Sequence, residues 1–407
     1  MQHYDIAIVG GGVVGYSLAL ALRHLSLKVA LIEAVAMPER YQENFDVRTL
    51  ALSKSSQNIL KCLNVWENVT PYSVEIQAIH ISNQGSFGAT RLHAVEQQLS
   101  AFGYVVDLQR LLIQLFQTIK KNTTIDHYCP ATLAQLHYLE SKHQYQLDLD
   151  SKQTISCDLL IGADGVHSSV RQLAGIDCDQ RAYDHHALVA NIALARHHRN
   201  CAYERFTEQG PLALLPMQDN RAALIWAQSP QRITHCLTLN ETDFLKQLQQ
   251  QFGYRLGRFI GVGKRAAFPL SLTRAKQIIK PSLVLLGNAA QSLHPIAGQG
   301  FNLALRDVAR LAEVLTQAVN HKQSLGSITT LEQYYQHRKW DERRMLGFTD
   351  GLATLFKQAI PGSQLLKALL LLTADRVNFV KQELIQHSMG LSGRVPDLAC
   401  GIELENK

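Results

Sequence analysis

The chain opens on a short, almost wholly apolar run, Tyr4–Val9, then glycines, then a second apolar stretch, Ser17–Leu25. The first has the length of a strand buried on both faces, and the second reads as a helix. Lys28–Ile32 is a second strand, so the opening predicts a βαβ unit. Strand, turn and helix recur twice. Cys157–Ile161 reads as a strand, Gly162-Ala163-Asp164-Gly165 as a tight turn, and Ser168–Arg171 as the start of a helix capped by Ser168 or Ser169. Ser282–Leu286 is another strand, turned at Gly287-Asn288. After a loop holding Pro295 and Gly298-Gln299-Gly300, a helix runs from Phe301 to about Val319, with Phe301, Leu305, Val308, Ala312 and Leu315 at helical spacing.

Between these units the period changes. Ala187–Leu194 and Ala222–Ala227 alternate like strands of a separate sheet, and residues 71–97 and 176–259 carry no glycine turn of this kind. Core packing is the better reading for Trp226 and Phe206 there, ahead of an aromatic pocket. Beyond 340 the pattern is mostly helical, broken at Pro361-Gly362, with apolar positions at 365, 369, 372, 377, 380 and 384. The predicted fold is α/β. One domain comprises 1–70, 98–175 and 260–340, an inserted β-sheet domain comprises 71–97 and 176–259, and a helical region covers 341–407.

Composition narrows the class. At 407 residues, two joined domains are expected. Hydrophobic residues at 46% and charged residues at 18% exclude a disordered chain. The formal charge of +6 is a mild basic bias that suits an anionic cofactor or membrane surface, but it is not clustered, so no nucleic-acid partner is expected. Seven scattered cysteines, none at C-x-x-C spacing, give no metal or dithiol site and predict buried free thiols in a reducing cytoplasm. The N-terminus lacks the basic region and cleavage site of a signal peptide. The apolar run Leu365–Ala374 is about half of the roughly 20 residues a spanning helix needs. No transmembrane segment is therefore expected, and the location is cytoplasmic. The 364–386 stretch is read either as an interfacial helix at the inner face of the membrane or as a helix packed on the protein or a partner.

The first glycine cluster carries chemistry. Gly10, Gly12 and Gly15 have G-x-G-x-x-G spacing between strand and helix, and Glu33 ends the second strand. Gly10 allows a tight turn, Gly12 lets backbone approach a pyrophosphate at the helix N-terminus, and Gly15 lets helix pack on strand. Glu33 offers acceptors to ribose hydroxyls and disfavours a 2′-phosphate, which leaves FAD or NAD. Asp164 and Arg171 bring opposite charges to the second turn. The helix after Gly298-Gln299-Gly300 points its positive end over the third loop, which suits the anionic side of a reduced flavin.

The order G-x-G-x-x-G…Glu, then D-G, then G-N-A-A…P-x-x-G-Q-G resembles the aromatic-ring hydroxylases, single-component FAD monooxygenases of the para-hydroxybenzoate hydroxylase fold, over about residues 1–345. Phe45-Asp46-Val47-Arg48, Tyr203-Glu204-Arg205-Phe206-Thr207, Gly210-Pro211-Leu212-Ala213, Leu215-Pro216 and Gly287–Leu303 are most similar to the ubiquinone-biosynthesis hydroxylases, in the branch acting on a 2-polyprenyl-6-methoxyphenol. The resemblance implies an FAD-binding Rossmann-like (GR2-type) domain, an inserted substrate sheet and C-terminal helices. It implies NADPH or NADH as donor, O2 and a polyprenyl phenol as substrates, a C4a-hydroperoxyflavin as oxidant, and other ubiquinone-biosynthesis proteins as possible partners.

It also assigns FAD contacts to Gly10, Gly12, Val14, Gly15, Glu33, Arg48, Gln109, Asp164, Asn288, Pro295, Gly298, Gln299, Gly300 and Asn302. Arg110 replaces Gln109 if the register slips by one. Arg48 is read near the flavin or as a surface arginine, and the Asn302 amide at the flavin ring edge. His294 is read beside the active-site face or as a brace for its loop. The family norm at 288 is Asp; Asn keeps an acceptor, adds donors and loses the charge. No catalytic acid or base stands out. Competing readings are a sister hydroxylase acting at another ring position, a flavin-bound scaffold, and an NAD-dependent dehydrogenase.

Overall fold

The computed structural model describes residues 1–37, 41–42, 44–85, 89–122, 124–292, 299–341, 386, 389–391 and 393–405. Five parallel strands form the spine of the first sheet. Leu283–Leu285 pairs with Thr154–Gly162, which pairs with Gln2–Val9, then Val29–Ile32, then Ile125–Tyr128. Numbered by chain position, the spatial order is 5-4-1-2-3, a doubly wound sheet whose direction reverses between Gln2–Val9 and Thr154–Gly162. Tyr4, Ile6, Ala7 and Ile8 are at most 1% exposed, as expected for a central strand covered on both faces. An antiparallel extension, Leu133–Leu139 and Gln144–Leu149, is attached to Thr154–Gly162.

Helix boundaries differ from the sequence reading. The first helix runs Val13–Ala21, so it begins immediately after Gly12 and ends short of Leu25. Gly-x-Gly residues do not read as helical by propensity, so the pattern placed the start too late. The helix packs against Leu108–Lys120 and the long helix Gln299–Asn320. Of the C-terminal region, the described residues include one short helix, Asp397–Cys400, docked on Lys54–Cys62 through a bond from Asn58 Nδ2 to the Ala399 carbonyl (3.0 Å). Of the 364–386 stretch, all but Gln386 lies outside the described residues.

The second sheet has nine strands, including Ala78–Asn83, Ala89–His93, Cys178–Leu194, Cys201–Thr207, Gly210–Met217 and Arg221–Gln228. The sequence put the return to the first domain at 260. Pairing in this sheet runs on through Phe259–Val262 and Ala266–Ala275 and takes in Gln291–Ser292.

Its two faces differ. One packs Leu188, Ile192, Leu214, Leu224 and Trp226 under the helices Pro230–Thr238 and Glu241–Phe252, so Trp226 is a core residue. Phe206 is half-buried on the opposite face. That face meets a small sheet of Thr49–Ser53, Gly103–Asp107 and Val74–Ile76: Ala202 and Ala223 pack with Ile76 and Val105, and Asn191 Nδ2 donates to the carbonyls of Phe45 (2.7 Å) and Val47 (2.9 Å).

All seven cysteines are free, as expected, but only Cys62, Cys157 and Cys236 are buried and Cys400 is exposed. Among the described residues no helix is long and apolar enough to cross a membrane.

Trp226 is fully buried beside Phe244, with ring centroids 6.5 Å apart. Trp226→Ala is expected to cost about 3–5 kcal/mol, read as a lowered denaturant midpoint.

Candidate cofactor site

The three predicted turns meet at the carboxyl edge of the parallel sheet, at the point where strand order reverses. This is where open α/β sheets bind ligands. Ala163 N donates to the Val9 carbonyl (2.8 Å), Leu286 N to the Gly162 carbonyl (2.8 Å), and Gly10 N to the Ile32 carbonyl (2.8 Å). The turns therefore extend the ladders of their strands and are fixed by them.

Glycine is required at two of these positions. Gly10 has φ +110°, and a Cβ there would lie 2.5 Å from the Ala163 carbonyl. A Cβ on Gly15 would overlap the Gly10 carbonyl oxygen. Gly12 is different: its backbone is extended, with φ −76° and ψ −175°, and a Cβ would meet nothing within 4 Å. Its glycine leaves open space in front of the Val13–Ala21 helix.

That helix has no side-chain cap and no acid in its first turn. Its free N–H groups and positive end therefore remain available to an anion. Glu33 is held beside the turn, accepting from Gly11 N (2.5 Å) and Val35 N (2.8 Å), and a carboxylate has acceptor capacity beyond those two bonds.

Asp164 Oδ2 accepts from Ser169 Oγ (2.8 Å) and Val170 N (3.1 Å), while its Oδ1 is buried with no partner among the described residues. A buried carboxylate oxygen left unpaired is costly unless a ligand hydroxyl completes it. Gly287, at φ +55°, brings the third turn against Val14, 3.3 Å from a Cβ built on the glycine. Asn288 is exposed between buried Gly287 and Ala289. An uncapped helix, an open cradle at Gly12, an acid at the second strand and an unpaired Asp164 oxygen together fit a dinucleotide.

The comparisons decide which one. The family described as FAD binding domain matches residues 3–349. The 3-demethoxyubiquinol 3-hydroxylase of Escherichia coli is 32% identical, over 96% of this chain and 99% of its own. The ubiquinone hydroxylase UbiL of Rhodospirillum rubrum is 32% identical, over 98% and 93%. This chain belongs to the FAD-dependent ubiquinone hydroxylases. The p-nitrophenol 4-monooxygenase PnpA of Pseudomonas putida shares the fold of this hydroxylase, with TM-score 0.79, 15% identity, and 97% and 100% of the two chains covered.

Several residues singled out in the sequence also make bonds within the hydroxylase itself. Arg171 is 4% exposed and donates to the carbonyls of Val166 (2.8 Å) and Ala289 (2.9 Å). It ties the second turn to the third. Ser168, and not Ser169, caps the following helix, accepting from Arg171 N. The Asn302 amide accepts from Ser53 N (2.9 Å) and Ser56 Oγ (2.7 Å) and donates to the Ala51 carbonyl (2.9 Å). Its side chain thus joins the long helix to Thr49–Ser53.

Arg48 is exposed, and its guanidinium lies 5.5 Å from the Phe268 ring centroid of the nine-stranded sheet. Gln109 occupies the first turn of Leu108–Lys120, capped by Asp107 (2.7 Å). Arg110 is stacked between Tyr41 (3.5 Å) and Tyr72 (3.8 Å) and lines a separate cleft of about 500 Å³. Gly300 lies in the first turn of the long helix. His294, Pro295 and Gly298, and the side chain of Gln299, lie outside the described residues.

The glycines separate binding from folding. Gly12→Ala should leave apoprotein stability within about 1 kcal/mol while weakening FAD at least tenfold, roughly 1.4 kcal/mol. Flavin absorbance of the purified protein and an apoprotein melt read the two effects. In Gly15→Ala the order reverses, with the apoprotein itself losing about 1–3 kcal/mol to the clash.

Proposed function

We propose that this protein hydroxylates the aromatic ring of a prenylated methoxyphenol in ubiquinone biosynthesis, with FAD, O2 and NADPH or NADH. Bound FAD, once reduced, supplies the activated oxygen. The chain's own residues bind, orient and exclude water. On this reading Gly10, Gly12, Val14, Gly15 and Glu33 hold the adenosine and pyrophosphate end, and Asp164 and Asn288 meet polar groups farther along the cofactor. The nine-stranded sheet is the substrate-binding unit.

The observation that carries the reading is the state of that sheet's second face. Its residues Val189, Phe206, Ile225 and Ala266 are only half-buried, and Phe268 is 42% exposed. The Phe45–Arg48 loop of the FAD-binding unit touches the same face through Asn191 and Phe268. Incompletely covered apolar surface beside a cofactor unit suits a phenol with a hydrocarbon tail. The relatives whose names specify ubiquinone hydroxylation support the same class.

The holoenzyme, given a short-tailed prenylated 2-methoxyphenol, O2 and NAD(P)H, is expected to yield a product heavier by one oxygen, with NAD(P)H consumed in equal amount. Mass spectrometry reads the added oxygen, and NMR of the product identifies the ring carbon. NAD(P)H oxidation yielding only peroxide with every prenylated phenol tested would sink the proposal. A tailed substrate also calls for contact with the membrane surface, through the region after Gly362. A chain truncated there should co-sediment less with anionic liposomes, and undiminished sedimentation would remove that region from the role.

A further inference from the structure

Strand Cys201–Thr207 carries a carboxylate on the face that looks toward the FAD-binding unit. Register fixes the placement. Glu204 lies opposite Ile81 on one side and Ala213 on the other; Ala213 lies opposite Ile225, Ile225 opposite Val189, and Val189 opposite Ala266. Directly paired residues share a face, so Glu204 is the one acid in an apolar row running across the sheet. Two residues further along the same strand and face is Ala202, packed on Ile76 and Val105, which identifies this as the side the small sheet covers.

The Glu204 side chain has no hydrogen-bond or ion-pair partner among the described residues. The ionisable groups nearest in register face away: Arg205 Nε donates to the Gln251 carbonyl, and the His80 ring packs on Tyr203 at 5.4 Å. From the facing loop, Asp46 accepts from Lys264 N and Arg48 lies over Phe268. Glu204 is half-buried, and an unpaired acid in such apolar surroundings costs folding stability and is a candidate for a functional role.

Resting on the functional reading above, we propose that Glu204 is the catalytic base that takes the proton of the substrate's phenol hydroxyl. The phenol O–H bond breaks, the proton goes to a Glu204 carboxylate oxygen, and the electron pair stays on the phenolate oxygen. From there it enriches the ring carbon that receives oxygen. The proton passes to water or product on release. Ring hydroxylation by an electrophilic oxygen needs an electron-rich ring, and phenolate is far richer than phenol.

Burial alone pushes the Glu204 carboxyl up to about 7, close to the value at which a base is both available and strong near neutral pH. A raised carboxyl is neutral in the fold over a pH range where it would be ionised in the unfolded chain. Stability is therefore lost as pH rises from the ordinary carboxyl value through about 7.

The test is Glu204→Gln in the holoenzyme. Hydroxylation of the prenylated phenol should fall about 10²-fold or more while flavin content stays and NAD(P)H is still consumed, now yielding peroxide. The wild-type rate should rise with pH through about 7, and that rise should vanish in the variant. Thermal stability of Glu204→Gln above that pH should match or exceed wild type, because the buried charge is gone. Glu204→Asp should recover part of the rate and keep the rising limb.

Unchanged hydroxylation and an unchanged pH profile in Glu204→Gln overturn the assignment, as does a Glu204→Asp variant no faster than the Gln form. If wild type hydroxylates no prenylated phenol while NAD(P)H is oxidised, the functional reading fails first. That outcome is distinguishable because it does not depend on residue 204.

Discussion

The molecule depends on one close approach, that of Gly10 to the Ala163–Asp164 backbone. Adjacent parallel strands reverse their order of winding there, so the loops leaving Val9 and Gly162 part to opposite sides and open a crevice. A side chain at Gly10 would enter the Ala163 carbonyl group, and one at Gly15 would enter the carbonyl of Gly10. Only with both positions bare can the Val13–Ala21 helix start hard against the strand. Its uncapped N–H groups then face the crevice, and Asp164 is brought into the same space. Glu33, Val14 and Gly287 are positioned relative to this contact through the ladder bonds that continue past the strand ends.

Polar side chains then divide into two kinds. Arg171 and Asn302 are buried and spend their bonds on backbone: the first joins the two later turns, and the second joins the long helix to Thr49–Ser53. Through that strand the long helix is linked to the small sheet, and through the small sheet to the nine-stranded sheet. Asp164 and Glu204 are of the other kind. Among the described residues Asp164 keeps a buried oxygen without a partner, and half-buried Glu204 keeps a desolvated carboxylate that accepts no bond; the fold tolerates both only at a cost in stability. The first kind builds the frame, and the second is where bound molecules complete the bonding.

What was legible in the sequence follows from this division. Short strands beside glycine turns announce themselves, because backbone geometry excludes other residues at Gly10 and Gly15. The parallel sheet and its three turns were therefore readable, and so was the hydroxylase family from the order of the motifs. The start of the first helix was missed because two glycines hide it from any propensity. The internal bonds of Arg171 and Asn302 were not legible, because nothing local in the sequence reveals which carbonyl a charge or an amide will find. The second sheet was placed, but its pairing beyond residue 259 came from long-range register that short alternating runs do not encode.

Glu204 illustrates the same limit from the other direction. In the stretch Ala202–Phe206, an acid sits on the face it shares with Ala202 and Phe206. Whether that face looks to water or to the cofactor unit is decided elsewhere, by Asn191 holding the Phe45–Arg48 loop and by Ala202 packing on Ile76 and Val105. With the orientation known, the acid on that face becomes informative. A solvated surface acid would titrate in the ordinary range, whereas burial raises this one. The two faces of one sheet thus follow opposite rules: apolar side chains sealed by helices on one, and on the other an incompletely covered apolar surface with the Glu204 carboxylate set into it.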